Sequence, residues 1–316
     1  MAQNPGDLRQ LHGRGMNPIS DAYTLPADFP EFDRLNLQHQ IWKTVQRGLC
    51  PIPKSDLDVL LAPKANGAPS AILDLGCGSG IWCTDMAKIF PHANVVGFDL
   101  ARSSPSDTPE NCFFLQGNIL DGLKDFYGQF DLVHSRTMVV HLKPNQRKWA
   151  INEIIKCVRP GGIVILADWD EPILSEHGQI LPAAREDSEP GTPQSWLIRI
   201  LNEVWHRSDP VLSVVRLAIR DALAENARVD QETITSALHN IPIGWDDGSI
   251  ENGALLGQMM RMDLMEFVRA FKPVLQSRGV GEQVIDSWIE HADLEFSGAD
   301  QRVITRLHST WARILE

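Results

Sequence analysis

The residues best suited to chemistry are gathered in one short run, Asp74-Leu75-Gly76-Cys77-Gly78-Ser79-Gly80. Glycines at alternate positions tolerate positive φ and carry no Cβ, so the backbone can approach a ligand more closely than any other residue type allows. The run follows the apolar Ala71-Ile72-Leu73 and precedes Ile81 to Phe90, whose apolar spacing fits a helix. A helix starting there aims its first N–H groups at whatever occupies the loop. This is the arrangement of a nucleotide-type cofactor site. The nicotinamide fingerprint is G-x-G-x-x-G, whereas this chain reads G-x-G-x-G with an acid two residues before the first glycine. A second carboxylate, Asp99, ends the apolar run Asn94 to Leu100 and can accept hydrogen bonds from two ribose hydroxyls. Groups able to move a proton follow: His134, His141, Asp168, Asp170 and Glu171. His141, a few residues past a strand, is the first candidate for a general base, with Asp170 and Glu171 behind it. The plainer alternatives are a partly buried histidine at a helix start and solvated acids.

Elements must hold these residues in place. Cys112 to Ile119 (CFFLQGNI), Phe130 to Arg136 (FDLVHSR) and Ile163 to Trp169 (IVILADW) are short apolar runs bounded by turn residues, the pattern of buried strands. Pro144 to Val158 reads as a helix with Trp149, Ile151, Ile154, Ile155 and Val158 on its inner side, and Arg159-Pro160-Gly161-Gly162 breaks the chain after it. Strands alternating with helices predict a parallel α/β sheet with its ligand crevice at the carboxyl ends of the strands. Asp74, Asp99, Asn118, His134 and Asp168 all fall at or near those ends.

Composition fits an enzyme with a sizeable core: 316 residues, 43% hydrophobic and 22% charged. A formal charge of −12 makes nucleic acid a poor partner unless a local basic patch exists. Met1 to Gly15 has no apolar core of signal-peptide length, and no run reaches the roughly 18 apolar residues of a membrane span, so a cytoplasmic protein with no membrane contact is expected. The five cysteines form no C-x-x-C pair and the ten histidines no ligand spacing, so neither a disulfide framework nor a metal is expected. Cys77 reads as a small residue filling a tight turn, with a reactive nucleophile as the alternative.

The run DLGCGSG resembles the first motif of class I S-adenosylmethionine-dependent methyltransferases. That resemblance implies a Rossmann-like fold with a seven-stranded, mostly parallel sheet and an antiparallel last strand. It also implies S-adenosyl-L-methionine at Asp74, Gly76, Cys77, Gly78, Gly80, Asp99, Leu100, His134 and Arg136, with Asn118 on the adenine amino group and Ile119 on the ring. Upstream, Tyr23-Thr24-Leu25-Pro26-Ala27-Asp28, Glu31 and the run Asp33 to Trp42 (DRLNLQHQIW) resemble the opening of the fungal LaeA/UMTA-like methyltransferases, and Ile241-Pro242-Ile243-Gly244-Trp245 continues the likeness. The resemblance implies an N-terminal helix folded over the cofactor, on which Leu37, Ile41, Val45 and Leu49 recur at helical spacing. Tyr23, Arg34, Gln38 and His39 would then face the pocket, the alternative being polar residues in water.

Three segments are therefore expected: 1–60 as a helical cover, 61–170 as the cofactor-binding core, and 171–316 as a helical cap with the last strands of the sheet. Within the cap, 172–193 reads as a loop or lid, Ser195 to Ala227 as helix broken near Asp209-Pro210, Gln231 to Ile241 as a strand, Leu255 to Leu275 and Gly281 to Leu294 as helices, and Arg302 to Ile314 as the antiparallel strand. Met259, Met260, Met262 and Met265, with Phe267 and Phe271, could line an adaptable apolar pocket or be plain core. The expected activity is methyl transfer to the oxygen or nitrogen of a small secondary metabolite. Two others share the same loop: a LaeA-like regulator acting through protein partners in the nucleus, and a cofactor-bound enzyme that catalyses dehydration or rearrangement without methylating. The helical cover could close its own subunit or that of a homodimer partner.

Overall fold

Short apolar runs separated by crossover helices pair in parallel, because each helix returns the chain to the same end of the sheet. The computed structural model describes residues 8–20, 23–64, 67–101, 105–188, 191–205, 214–246, 248, 250–299 and 301–315, with the backbone alone at Glu171. The elements run β1 (Arg9–Leu11), β2 (Arg14–Met16), α1 (Phe29–Gln46), α2 (Lys54–Leu60), β3 (Ser70–Leu75), α3 (Ile81–Ile89), β4 (Ala93–Asp99), β5 (Cys112–Gln116), β6 (Phe130–Arg136), α4 (Pro144–Cys157) and β7 (Val158–Ser175). After these come α5 (Trp196–Val204), α6 (Val215–Ala224), β8 (Thr235–Pro242), α7 (Gly253–Ala270), α8 (Lys272–Ser277), α9 (Glu282–Phe296) and β9 (Val303–Arg313).

Apart from the β1-β2 hairpin, the strands form one seven-stranded sheet in the order β5-β4-β3-β6-β7-β9-β8. β9 runs antiparallel to both its neighbours, and the other pairings are parallel. This is the Rossmann-like class I methyltransferase topology. Chain order reverses on either side of β3, and this opens a crevice above its carboxyl end. Side-chain alternation sends Ile72 of β3 into one apolar core and Leu73 and Leu75 into the other.

Helix α1 starts where Asp28 accepts the Glu31 N–H at 3.3 Å, with Pro30 in its first turn. Asp28 is itself gripped by Arg14 of the hairpin at 2.7 and 2.8 Å. The helix ends at Arg47 in left-handed conformation (φ 54°), so the expected repeat stops short of Leu49. Its buried residues include Glu31, Arg34 and His39 beside Ile41 and Trp42. A helix with charges on its inner face is built to meet polar partners.

Several expectations need correction. Trp149 of α4 is 43% exposed, on the outer side of the helix. Pro160-Gly161-Gly162 interrupts the β6-β7 register without ending β7, since Phe130 pairs with Val158 and Leu132 with Ile163. Residues 172–175 are strand, not loop, because β9 continues to pair with them as far as Ser175↔Val303. The long helix after Leu255 stops at Ala270, where Pro273 starts α8. Asp209-Pro210 lies outside the described residues.

Candidate active site

The crevice above β3 holds a cavity of about 150 Å³. Its floor is the glycine loop, where Gly76, Gly78 and Gly80 all take positive φ (76°, 53° and 79°). A Cβ on Gly78 would stand 2.9 Å from Leu35 of α1, and one on Gly80 2.6 Å from Phe114, so side chains here would collide with both the cover and the sheet. The loop is tied to the neighbouring strand: the Gly76 N–H donates to Phe98 O at 2.8 Å, and the Gly78 N–H to Asp99 Oδ2 at 2.9 Å. The other oxygen, Asp99 Oδ1, accepts the Ala101 N–H at 2.8 Å. Burial raises the Asp99 pKa against these bonds. The carboxylate is thereby fixed in orientation at the cavity wall.

Opposite stands a second fixed pair. His134 Nδ1 lies 2.8 Å from Asp74 Oδ1, and its ring stacks on Trp82 at 4.0 Å between centroids. Burial lowers the His134 pKa, against the pull of Asp74, so the ring is neutral, with Nδ1 the donor to Asp74. Next to it Arg136 lines the cavity, its pKa lowered to about 10 by burial. Arg136 Nη2 donates to His39 Nδ1 at 3.1 Å, and its guanidinium lies over the Trp42 ring. His39 is held neutral by burial, its pKa lowered to about 4, and its Nε2 reaches Asp85 at 3.1 Å, which in turn pairs with Lys43 at 2.9 Å. Asn118, Leu100 and Ile119 also line the cavity. The Asn118 side-chain oxygen accepts the Leu120 N–H at 3.0 Å and caps a short 3-10 turn, which leaves that oxygen one lone pair.

Tyr23, Gln38, Cys77 and His141 complete the wall. The edge of the Tyr23 ring meets His141 at 5.1 Å, and burial lifts its hydroxyl pKa above the usual range. His141 is driven down to about 3 by burial, with Arg34 and Arg147 adding to the shift. It is neutral at physiological pH, which leaves a lone pair but little basicity. Thr137 has φ 53°, an outlier for a β-branched residue, and its hydroxyl donates to Gln38 Oε1 at 3.2 Å.

Gln38, Thr137 and His141 also line a second, smaller cavity of about 30 Å³ between α1, α7 and the sheet, walled by Trp42, Trp169, Met260, Leu264 and Phe267. Arg34 faces this space, not the first cavity. Glu31 grips it through both carboxylate oxygens (2.6 and 3.0 Å), and Asp263 of α7 pairs with it at 2.9 Å. His39 lines neither cavity; it stands behind Arg136. Gly80 lies behind the wall formed by Ser79 and Ile81. Asp170 is also misplaced by the sequence. Trp169 points into the second cavity, and strand alternation sends Asp168 and Asp170 to the opposite face. There Asp170 pairs with Arg216 at 2.9 Å and approaches His308 at 3.7 Å. Glu171 lies in an irregular stretch of β7, its side chain outside the described residues. Of the aromatic and methionine cluster on α7, only Met260 and Phe267 reach the second cavity, while Met262 is 59% exposed.

Sequence inspection missed Asp263, Leu35 and Thr137. Asp263 did leave a signal: it interrupts the apolar stripe Leu256, Met260, Leu264, Phe267, where a carboxylate is costly without a partner.

A family model described as a methyltransferase domain matches residues 72–162. The secondary metabolism regulator laeA of Coprinopsis cinerea is 27% identical over 96% of this chain and 73% of its own length. Methyltransferase pytC of Aspergillus terreus is 28% identical over 85% of this chain and 76% of its own. Among solved structures, phosphoethanolamine N-methyltransferase 2 of Haemonchus contortus in complex with S-adenosyl-L-methionine matches with 13% identity and a TM-score of 0.44, over 88% of this chain and 52% of that one. Strand order, glycine loop and matched domain define a class I methyltransferase that uses S-adenosylmethionine. Over most of its length the chain is similar to these two fungal proteins, the regulator laeA and the methyltransferase pytC. No helix among the described residues is long and apolar enough to cross a membrane.

Proposed function

We propose that the methyl group goes to a hydroxyl oxygen or amine nitrogen of a small, mostly apolar molecule of the secondary-metabolite kind. The observation that carries this is the junction at Gln38, Thr137 and His141, where the first cavity meets a second with aromatic and aliphatic walls. When bound, S-adenosylmethionine supplies an electrophilic methyl carbon on a sulfonium sulfur, so the protein's work is placement and the exclusion of water. Asp99 receives the ribose hydroxyls, Asn118 and Ile119 the adenine, and Asp74, His134 and Arg136 surround the amino-acid end. Residues 1–60 cover the site, 61–170 bind the cofactor, and 171–316 complete the sheet and supply the cap. His141 orients the acceptor at the junction through its free-base ring.

Mass spectrometry of candidate hydroxyl- and amine-bearing aromatic metabolites, incubated with the protein and S-adenosylmethionine, tests this. The expected result is a product one methyl heavier, formed in step with S-adenosylhomocysteine. A converted product without that by-product would favour a non-methylating reaction, and methyl incorporation confined to proteins would favour the regulatory role.

A further inference from the structure

The second cavity contains a charge that the packing does not require. Asp263 is 4% exposed in an otherwise apolar stripe of α7, and its Oδ1 accepts Arg34 Nη1 at 2.9 Å. The Gln38 amide donates to it as well. Yet Arg34 is already neutralised by Glu31, which holds it through both oxygens. Two buried carboxylates thus share one guanidinium, and Asp263 is the surplus negative charge. Replacing such a group by an apolar side chain is often neutral or stabilising, so stability alone is a poor reason for it. Asp263 also lines the space between Trp42, Trp169 and Phe267, a cavity of about 30 Å³ that has to widen for a ring to enter, and the flexible Met260 side chain in its wall is the group suited to give way.

We propose that this cavity takes the hydroxyl-bearing aromatic end of the methyl acceptor and that Asp263 is the base that receives its proton. The proposal rests on the small-molecule methyl transfer proposed above. As the acceptor oxygen bonds to the methyl carbon, the carbon–sulfur bond breaks with its electrons left on sulfur, and the O–H proton passes to the Asp263 carboxylate. Burial raises the Asp263 pKa, which suits it to hold a proton, whereas His141 is driven to about 3 and holds one poorly. Arg34 and Gln38 fix the carboxylate, and the rings clamp the acceptor in plane.

The test is calorimetry on the full chain saturated with S-adenosylhomocysteine, with p-cresol and toluene as probes. p-Cresol should bind saturably. Asp263→Asn should weaken p-cresol about fivefold or more, as expected for loss of a hydrogen bond to a charged group, while toluene binding stays the same. Leu264→Trp should exclude both probes and leave S-adenosylhomocysteine affinity within about twofold, because it fills only the second cavity. With the acceptor found by mass spectrometry, Asp263→Asn should lower kcat at least about a hundredfold, the lower end of what general-base loss removes. Unchanged p-cresol binding in Leu264→Trp, equal weakening of both probes in Asp263→Asn, or no saturable p-cresol binding would overturn the proposal. A protein that binds the probes yet methylates no small molecule would instead overturn the functional reading beneath it.

Discussion

Asp168 has the profile of a catalytic base: a carboxylic acid at a strand end whose pKa burial raises to about 7. Its position says otherwise. It is fully buried and lines neither cavity, and its two oxygens accept the Val140 N–H at 3.1 Å and the Trp169 N–H at 3.0 Å. Its perturbed pKa should therefore register in stability and not in turnover. The unfolded chain loses this proton near 3.8, the ordinary value, while the folded chain keeps it up to about 7. In the window between, the folded state binds more protons, so stability falls as pH rises. From pH 5 to pH 8 the window spans about two units at ~1.4 kcal/mol each, a loss of roughly 2 to 3 kcal/mol. Asparagine at this site copies the protonated acid, with one carbonyl acceptor and no charge. Asp168→Asn should match wild type only below about pH 3.8, and its advantage should grow by about 2 to 3 kcal/mol between pH 5 and pH 8 in urea unfolding followed by circular dichroism. Glu295, whose pKa burial also lifts to about 7, titrates in both proteins and cancels from the difference. Methyl transfer by the variant at neutral pH should stay within about twofold of wild type, since no atom of Asp168 reaches a cavity. Identical pH dependence of the two proteins, or collapse of turnover in a well-folded variant, would refute this reasoning.

Asp99→Asn should weaken S-adenosylmethionine by about ten- to a hundredfold in calorimetry, the loss of a charge-assisted hydrogen bond worth ~1.5–3 kcal/mol; near-normal affinity would remove the ribose assignment. Arg34→Met should cost about 3–5 kcal/mol, because it strands Glu31 and Asp263 together in the interior, and chemical denaturation would read this directly. His141→Gln should slow turnover and spare cofactor binding. Because His141 is already neutral above about 3, the wild-type pH profile of kcat/KM should show no limb from this residue between about pH 5 and 9.

Legibility followed the range of the interactions. Strands β3 to β6 could be read because each is a short apolar run closed by a turn, and the parallel pairing that follows brings Asp74, Asp99, Asn118, His134 and Arg136 around one cavity. The end of β7 was misread because nothing within residues 172–175 announces a strand; its partner β9 lies some 130 positions later. Asp170 was misplaced for a simpler reason. Beside Trp169 it looks like part of the same site, but neighbouring residues in a strand face opposite ways. Helix α1 resisted a simple pattern since its buried face carries Glu31, Arg34 and His39, whose partners Asp263, Arg136 and Asp85 are remote. Such contacts have no local signature, and only a misplaced charge such as Asp263 hints at them.

The ion triad of Glu31, Arg34 and Asp263 has a consequence for how the chain is made. Arg34 and Asp263 are separated by 229 positions. During synthesis α1 leaves the ribosome well before α7, carrying a Glu31–Arg34 pair whose third member, Asp263, arrives only with α7. At ribosomal speeds of about 5–20 residues per second, that wait is on the order of ten seconds or more. The glycine loop and β3 to β6 can assemble in the meantime from contacts close in sequence, which form sooner than distant ones. Helix α1 thus completes its docking only once α7 has been made, and a nascent chain can shape the cofactor floor well before it acquires the roof.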